Sequence, residues 1–163
     1  MIPLTQPRIQ LRRISVGDLP RIFEIQSDRA SNELAATIAR DEATFQEHWV
    51  RVLDDGTVSA YAIDADGELV GTISRYPVEG TEFVGYWIAR EHWNRGIASA
   101  ALRRFLELDG ARPLHARVAV DNVGSVRVLE KCGFRETHRE WSEATDRFLA
   151  CEEVWLRLDA NPS

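Results

Sequence analysis

Residues 85–102, GYWIAREHWNRGIASAAL, run a strand-like segment through a short polar turn straight into an amphipathic helix, and this junction constrains the fold most. Glu82–Ala89 (EFVGYWIA) is rich in aromatic and β-branched residues and predicts a strand. Gly96–Leu108 predicts the strongest helix of the chain, with Ile97, Ala101, Leu102, Phe105 and Leu108 toward a core. Gly96 stands where the backbone must turn tightly or approach something closely, and Ala98 and Ser99 keep the first helical turn small. The first-turn N–H groups of a helix lack intrahelical partners, and the helix dipole is positive there. Such an end binds phosphate, yet the same segment also reads as an ordinary strand–turn–helix connection. It is not a Walker loop, since no Lys-Ser/Thr follows, and GxGxxG is absent.

The flanking segments set the order of elements. Arg8–Ile14 alternates apolar and polar residues and predicts a first strand. Asp18 is a candidate N-cap with Pro20 in the first turn of a helix carrying Ile22, Phe23 and Ile25. Residues 31–40 are Ala-rich and leave open a short helical turn. Asp41 opens a clearer helix, with Phe45, Trp49, Val50 and Leu53 on one face and Asp55-Gly56 at its end. Val58–Asp64 and Glu68–Arg75 predict two strands joined by Ala65-Asp66-Gly67, a hairpin signal. Leu114–Val120 predicts a strand, and Asn122–Cys132 a helix with Val123, Val126 and Leu129 inward, stopped by left-handed Gly133. A sixth strand begins at Phe134 and a seventh spans Phe148–Leu158. The order β-α-α-β-β-β-α-β-α-β-β predicts an α/β (α+β) fold with a mixed, largely antiparallel sheet and helices on both faces.

Composition removes several function classes. A chain of 163 residues without repeats or a Pro/Gly/Ser linker is expected to form one domain, 1–163, with its core at about 8–158 and a fraying DANPS terminus. No apolar run approaches the roughly eighteen residues of a membrane helix. MIPLTQPRIQLRR lacks the apolar stretch of a secretory signal. Cys132 and Cys151 have neither disulfide-framework nor metal-ligand spacing, so no metal and a reducing, cytoplasmic setting are expected. The net charge is −6, and residues 1–81 hold 8 basic and 13 acidic side chains. An acidic chain without a basic run is a poor candidate for holding nucleic acid.

A second cluster follows the junction: Asp121-Asn122-x-x-Ser125, then Leu129-Glu130-Lys131-Cys132-Gly133-Phe134. Asn122 suits a helix N-cap, and Ser125 lies at the same helix end. Taken together, GYWIAREHWNRGIASAAL and VAVDNVGSVRVLEKCGF resemble the Gcn5-related N-acetyltransferase (GNAT) superfamily, most closely its RimJ/RimL branch of ribosomal-protein N-terminal acetyltransferases. The motifs cover about residues 82–134, and the element order fits that fold along the whole chain.

The resemblance implies a seven-stranded, mostly antiparallel sheet splayed between its fourth and fifth strands, with acetyl-CoA in the wedge. It implies pantetheine pairing with main-chain groups of Tyr86, Trp87 and Ile88, and pyrophosphate on the amides of Trp93, Asn94, Arg95, Gly96, Ile97, Ala98 and Ser99. Asn122 would bond the pantetheine arm, and an amine would attack the thioester directly, leaving Cys132 and Cys151 to packing. It further implies a bacterial enzyme, monomeric or homodimeric, without a membrane partner. Two departures stand out. Trp93 replaces the usual Gln or Arg that opens the turn, so Arg95 and Arg90 are expected to supply phosphate charge. Leu129 occupies the position of the family's usual Tyr acid, so Ser125 is the candidate for hydrogen-bonding the leaving thiolate.

The base stays open. The branch often has a Glu two residues before its Gly-Tyr pair; that position is Phe83 here, and Glu82 is one residue off, on the other side of the strand unless a bulge shifts it. Glu140 and Glu143 are rivals, and attack without a dedicated base is a further reading. Trp49 and Trp87 read as core, His48 as exposed, and Asp28, Asn32 and Glu33 as surface near the acceptor region. The expected activity is acetyl transfer to a primary amine, with a protein α-amine first. The alternatives are a small amine (a polyamine, antibiotic or amino acid) or a non-catalytic acyl-CoA-binding module. The acidic first half favours a cationic acceptor.

Overall fold

The computed structural model describes residues 6–160. Asn161, Pro162 and Ser163, part of the terminus expected to fray, lie outside them. Seven strands form one sheet in the order β1-β2-β3-β4-β5-β7-β6: β1 Ile9–Arg13, β2 Ser59–Ala65, β3 Glu68–Val78, β4 Thr81–Ile88, β5 Leu114–Ala119, β6 Arg135–Ser142 and β7 Cys151–Leu158. Every pairing is antiparallel except β4–β5. That parallel pair has one register contact, Phe83 with His115, beyond which the strands part toward their C-terminal ends. The mixed seven-stranded sheet and its opening between the fourth and fifth strands are as the sequence implied.

Five helices cover the two faces: α1 Leu19–Gln26, α2 Arg29–Ala35, α3 Glu42–Asp54, α4 Ile97–Leu108 and α5 Val123–Lys131. On one face α4 and α5 bury Ile97, Leu102, Phe105 and Leu129 against Ile63, Val70, Leu114 and Leu156. On the other, α1 and α3 bury Leu19, Ile22, Phe45 and Trp49 over Ala62. Helix starts follow local chemistry. The Asp41 carboxylate accepts from Thr44 N at 2.8 Å, and Asp28 accepts from Ser31 N at 3.0 Å. Asp18 precedes α1 without capping it, because its carboxylate is taken by Arg12 and by Ser15 N.

Several sequence expectations need correction. Val50 and Leu53 are exposed and Val52 faces the core instead, so the apolar stripe of α3 is rotated from the expected one. Leu108 and Val123 are exposed at helix ends, past the edge of the sheet core. β3 runs on to Val78 and meets β4 through Glu79 and Gly80, both left-handed, at φ 50° and 79°. Pro77 is tolerated there because it lies beyond Arg75, where β2 has already ended, so its missing N–H costs no ladder bond. β7 starts at Cys151 and not at Phe148, which lies in the loop after β6 and bridges with Thr37 after α2.

Candidate active site

The parting of β4 from β5 exposes a strip of backbone. Ala89 N–H donates to Val70 O at 2.8 Å, and this fixes the phase of the β3–β4 ladder. Alternate residues of an antiparallel pair turn their backbone groups to the partner strand. Ala89 and Trp87 therefore face β3, whereas Tyr86 and Ile88 turn theirs toward the gap. Ile88 O is already taken by the Trp93 indole N–H at 2.8 Å. Trp93 thus closes the far end of the strip with its indole, and its amide, expected to hold phosphate, donates to Arg90 O at 3.1 Å.

A cavity of about 660 Å³ fills the gap and passes through the sheet. Tyr86, Trp87 and Ile88 of β4 form one wall, and Trp93, Asn94 and Gly96 through Ser99 form the next. Asn122 and Ser125 line the side of α5, and Ser31, Leu34 and Ala35 of α2 close it from the opposite face. Gly96 caps α4 at φ 75° with no side-chain cap, so the first amides of α4 meet the cavity unpartnered. Open backbone on a strand edge, free amides at a helix start and an elongated wedge together suit a long ligand with amide and phosphate groups.

Of the donor-site residues expected from the sequence, Arg95 and Arg90 are off the wall; the Arg95 guanidinium bonds His92 Nδ1 at 3.1 Å. Arg90 is paired with Asp28 at 3.2 Å. The cations that do line the cavity are Arg127 and Lys131, four residues apart and so on one face of α5. That spacing was present in the sequence and overlooked. The Asn122 carboxamide oxygen accepts from Ser125 N at 3.4 Å, which makes Asn122 a helix cap as well as a wall residue.

The hydroxyl chemistry holds a further surprise. Tyr86 projects onto α5, where its phenol oxygen lies 2.7 Å from Ser125 Oγ and 3.1 Å from the Ser125 carbonyl. Burial pushes the phenol up to about 12, so Tyr86 stays protonated at neutral pH. The family resemblance gives Tyr86 a main-chain role only and leaves α5 without a phenol, because Leu129 fills the usual place. Leu129 is a core residue, 1% exposed.

Glu82 is not brought to this site. It shares the side of β4 that carries Tyr86, about 13 Å up the strand, and bonds Arg75 Nη1 at 2.8 Å. Arg75 also holds Asp109 at 2.7 Å, at the end of α4. The strand continues without the bulge that would turn Glu82 around, as Pro77 pairs with Glu82 and Tyr76 with Phe83 in steady register. Glu140 and Glu143 are exposed and off the cavity wall. Trp87 is half-buried, with its indole N–H on Ile25 O at 3.1 Å, pinning the end of α1 over β4. Asn32 is buried and structural: its amide donates to Gln26 O and Asp28 O and its oxygen accepts from Thr37.

Residues 8–135 match the family described as the acetyltransferase (GNAT) domain. The chain belongs to the GNAT acetyltransferases. It is an N-acetyltransferase, and acetyl-CoA is the donor of this family. A Bacillus subtilis relative, probable N-acetyltransferase YjcK, is 38% identical over 81 residues, 44% of this chain and 44% of that protein. Spermidine N-acetyltransferase from Vibrio cholerae, solved with CoA and spermine, superposes with a TM-score of 0.76 at 19% identity, over 91% of this chain and 95% of that one. Ribosomal-protein-alanine N-acetyltransferase from Brucella melitensis gives 0.77 at 19% identity, over 93% and 99%. These structural likenesses establish the GNAT fold. Among the described residues no group of three His, Cys, Asp or Glu side chains is placed to hold a metal, and no helix is long and apolar enough to cross a membrane.

Proposed function

We propose that this GNAT enzyme acetylates the α-amine of a peptide or protein N-terminus, with a RimJ/RimL-like active site in which Ser125 and Tyr86 replace the usual helix tyrosine. The hydroxyl pair at 2.7 Å on the cavity wall carries the acid part of this reading, and the RimJ/RimL-like motifs support the peptide acceptor. The donor would lie along Tyr86–Ile88 and Asn122, with its phosphates on the amides of Gly96–Ser99 and the cations of Arg127 and Lys131.

When bound, acetyl-CoA supplies a thioester whose sulfur leaves as a thiolate. The chain's part is to hold a proton where that charge develops. With the Tyr86 O–H directed at Ser125 Oγ, the serine's own proton points into the cavity. Proton transfer from Ser125 Oγ is then balanced by transfer from Tyr86 to the serine. Burial disfavours the phenolate this leaves, so Tyr86 takes a proton back from solvent as the attacking amine sheds its own, and the pair ends as it began. None of Glu82, Glu140 and Glu143 is on the wall, where the carboxylate present is Asp121 beside Asn122, and in this reading the acceptor ammonium gives up its proton to solvent. The pH profile of kcat/KM should therefore rise with the amine's own ionisation.

The test is steady-state acetylation of N-terminal peptides by wild type, Ser125→Ala and Tyr86→Phe, beside calorimetry with acetyl-CoA. A general acid contributes about 10²–10⁴-fold. Ser125→Ala should lower kcat about 100-fold, and Tyr86→Phe about tenfold or more, with acetyl-CoA affinity held within about twofold. Unchanged kcat in Ser125→Ala would remove the pair from the mechanism. Turnover of spermidine or free amino acids but of no peptide would overturn the acceptor assignment.

A further inference from the structure

α2 leads from the cavity wall to an unusual patch. After Ala35 the chain turns at left-handed Ala36 and runs alongside the loop between β6 and β7. Leu149 N donates to Ala36 O at 2.9 Å, Thr37 bridges with Phe148, and Ile38 N donates to Arg147 O at 2.7 Å. The Arg147 guanidinium returns to Ile38 O, fixing the side chain over the same loop. Two residues on is Arg40, and α3 then presents His48 and Arg51 on one face, three residues apart. Arg147 and Arg40 are thus carried by two distant loops laced together, with His48 and Arg51 close enough on α3 for the charges to influence one another.

Half-burial without a carboxylate sets Arg40 and Arg147 apart from the other arginines, which are ion-paired or exposed, save Arg112, whose guanidinium bonds backbone carbonyls. Arg12, Arg75 and Arg90 each hold a carboxylate at 3.2 Å or less. Among the described residues none of Arg40, Arg51 and Arg147 is in a salt bridge. Arg40 and Arg147 are nevertheless half-buried. Burial pushes Arg147 down to about 10, with Arg40 adding to it, and lowers Arg40, with Arg51 adding. His48 is lowered to about 4 by burial and then by Arg40, Arg147 and Arg51. Holding partly buried like charges together without a salt bridge is costly, although Asp41, Glu42, Glu47 and Asp146 are neighbours in sequence, and an anionic ligand on the guanidinium groups lowers that cost. The planar guanidinium fork matches a carboxylate in particular.

We infer that Arg40, Arg147, Arg51 and His48 form a carboxylate-binding subsite for the acceptor, so that the preferred substrate is a peptide with an acidic residue close behind its α-amine. This rests on the peptide reading above and names the class of peptide. From Ala35 on the cavity wall to Arg40 is five residues, at most about 17 Å of extended chain. An acidic side chain within the first few positions of an extended peptide spans that distance. The exposed Ile38 and Phe148 beside the arginines offer apolar contact to the peptide between amine and carboxylate. The arginines thus favour an anionic group on the acceptor, where the net acidity of residues 1–81 pointed to a cationic one.

The experiment compares C-terminally amidated peptides identical except for Glu, Gln or Lys at positions two to four, with a free amino acid as the small-carboxylate arm. The Glu peptide should exceed the Gln peptide at least tenfold in kcat/KM, mostly through KM, and the difference should shrink in high salt. Arg40→Gln and Arg147→Gln should each erase the preference while leaving acetyl-CoA affinity and Gln-peptide kcat within about twofold. Equal rates for Glu and Gln, or preference for Lys, would overturn the subsite with peptide acetylation intact. Efficient use of the free amino acid would transfer the carboxylate from peptide side chain to small substrate and overturn the peptide class. The second readout needs no turnover. The His48 ring, followed by NMR against pH, should gain at least one unit in sodium sulfate over sodium chloride at equal ionic strength. An unmoved His48 would overturn the subsite even if no peptide is acetylated.

Discussion

Gly71 is the position where a single methyl group should reach the donor wedge from outside it. Gly71 sits in β3 beside a register shift, where Ile63 pairs with Gly71 and Asp64 with Leu69, leaving Val70 as an extra residue. The bulge brings Gly71 hard against β4: a Cβ there would lie 2.1 Å from the Trp87 carbonyl oxygen and 3.1 Å from Ile88 Cδ1. Trp87 O would have to retreat about 0.9 Å to reach the 3.0 Å that real Cβ contacts respect. Forced shifts in packed cores cost roughly 1–3 kcal/mol, and the lower unfolded-chain entropy of alanine returns about 0.4–1 kcal/mol. Gly71→Ala should therefore lose about 1–2 kcal/mol, or about 2–8 °C in Tm for a domain of this size. The functional effect should be larger, because the displaced carbonyl lies between Tyr86 and Ile88, whose backbone groups face the wedge. Acetyl-CoA affinity should fall at least tenfold, about 1.4 kcal/mol. Thermal unfolding with and without CoA, and calorimetry on the folded variant, measure both. Gly110→Ala, with no atom within 4 Å of its Cβ, is the control and should change neither. An unchanged Tm together with unchanged acetyl-CoA affinity would refute both the close approach and the use of this edge by the donor.

Two further outcomes follow from local geometry. At Gly96 a Cβ meets nothing closer than Gln6 Oε1 at 3.7 Å, so the cost of Gly96→Ala is conformational, about 1–2 kcal/mol for a left-handed residue at φ 75°. Calorimetry should show acetyl-CoA binding weakened at least tenfold; unchanged affinity would separate the start of α4 from the donor. Arg12 grips Asp18 through both terminal nitrogens, at 2.8 and 2.9 Å, and holds its carboxyl down at about 2, from 3.8. A depressed folded-state value stabilises above the unfolded one, and that contribution fades as pH falls from about 4 toward 2. Discounted for the partial exposure of Arg12, it amounts to about 1–2 kcal/mol. The stability gap between wild type and Arg12→Gln in urea titrations should narrow by that amount between pH 6 and pH 2.5, and a gap that stays constant would exclude the pair as its source.

What could be read ahead of the structure was whatever a few consecutive residues decide. Asp66-Gly67 specifies a two-residue hairpin because both positions are left-handed, at φ 51° and 83°, and Gly133 ends α5 at φ 97° for the same reason. The opening between β4 and β5 was legible through the family resemblance of the strand–turn–helix and Asn122–Ser125 segments. Helix facing was less so. An apolar residue such as Val50 or Leu108 scores as core in any periodic pattern, but whether the sheet extends beneath it depends on where the helix docks. For Glu82, steady register and distance along β4 decide together, since it shares the side of Tyr86 but lies about 13 Å up the strand. The missing bulge keeps it on the side of Arg75 and Asp109, where two short hydrogen bonds hold the Arg75 guanidinium away from the cavity.

The pairings that carry the chemistry lie beyond local reading altogether. Tyr86 meets Ser125 across 39 residues, and Arg147 reaches Ile38 across 109. In each case the partner is set by how far two strands diverge or two loops approach, quantities that no window of sequence contains. Leu129 illustrates the consequence. Its presence removed the expected phenol from α5, but the same splay that opens the cavity lets a phenol arrive from β4 and meet the helix at Ser125. A hydroxyl can thus migrate between elements while its position in space is kept, and a motif comparison by position alone then registers a loss where the site has only changed the strand or helix that supplies the group.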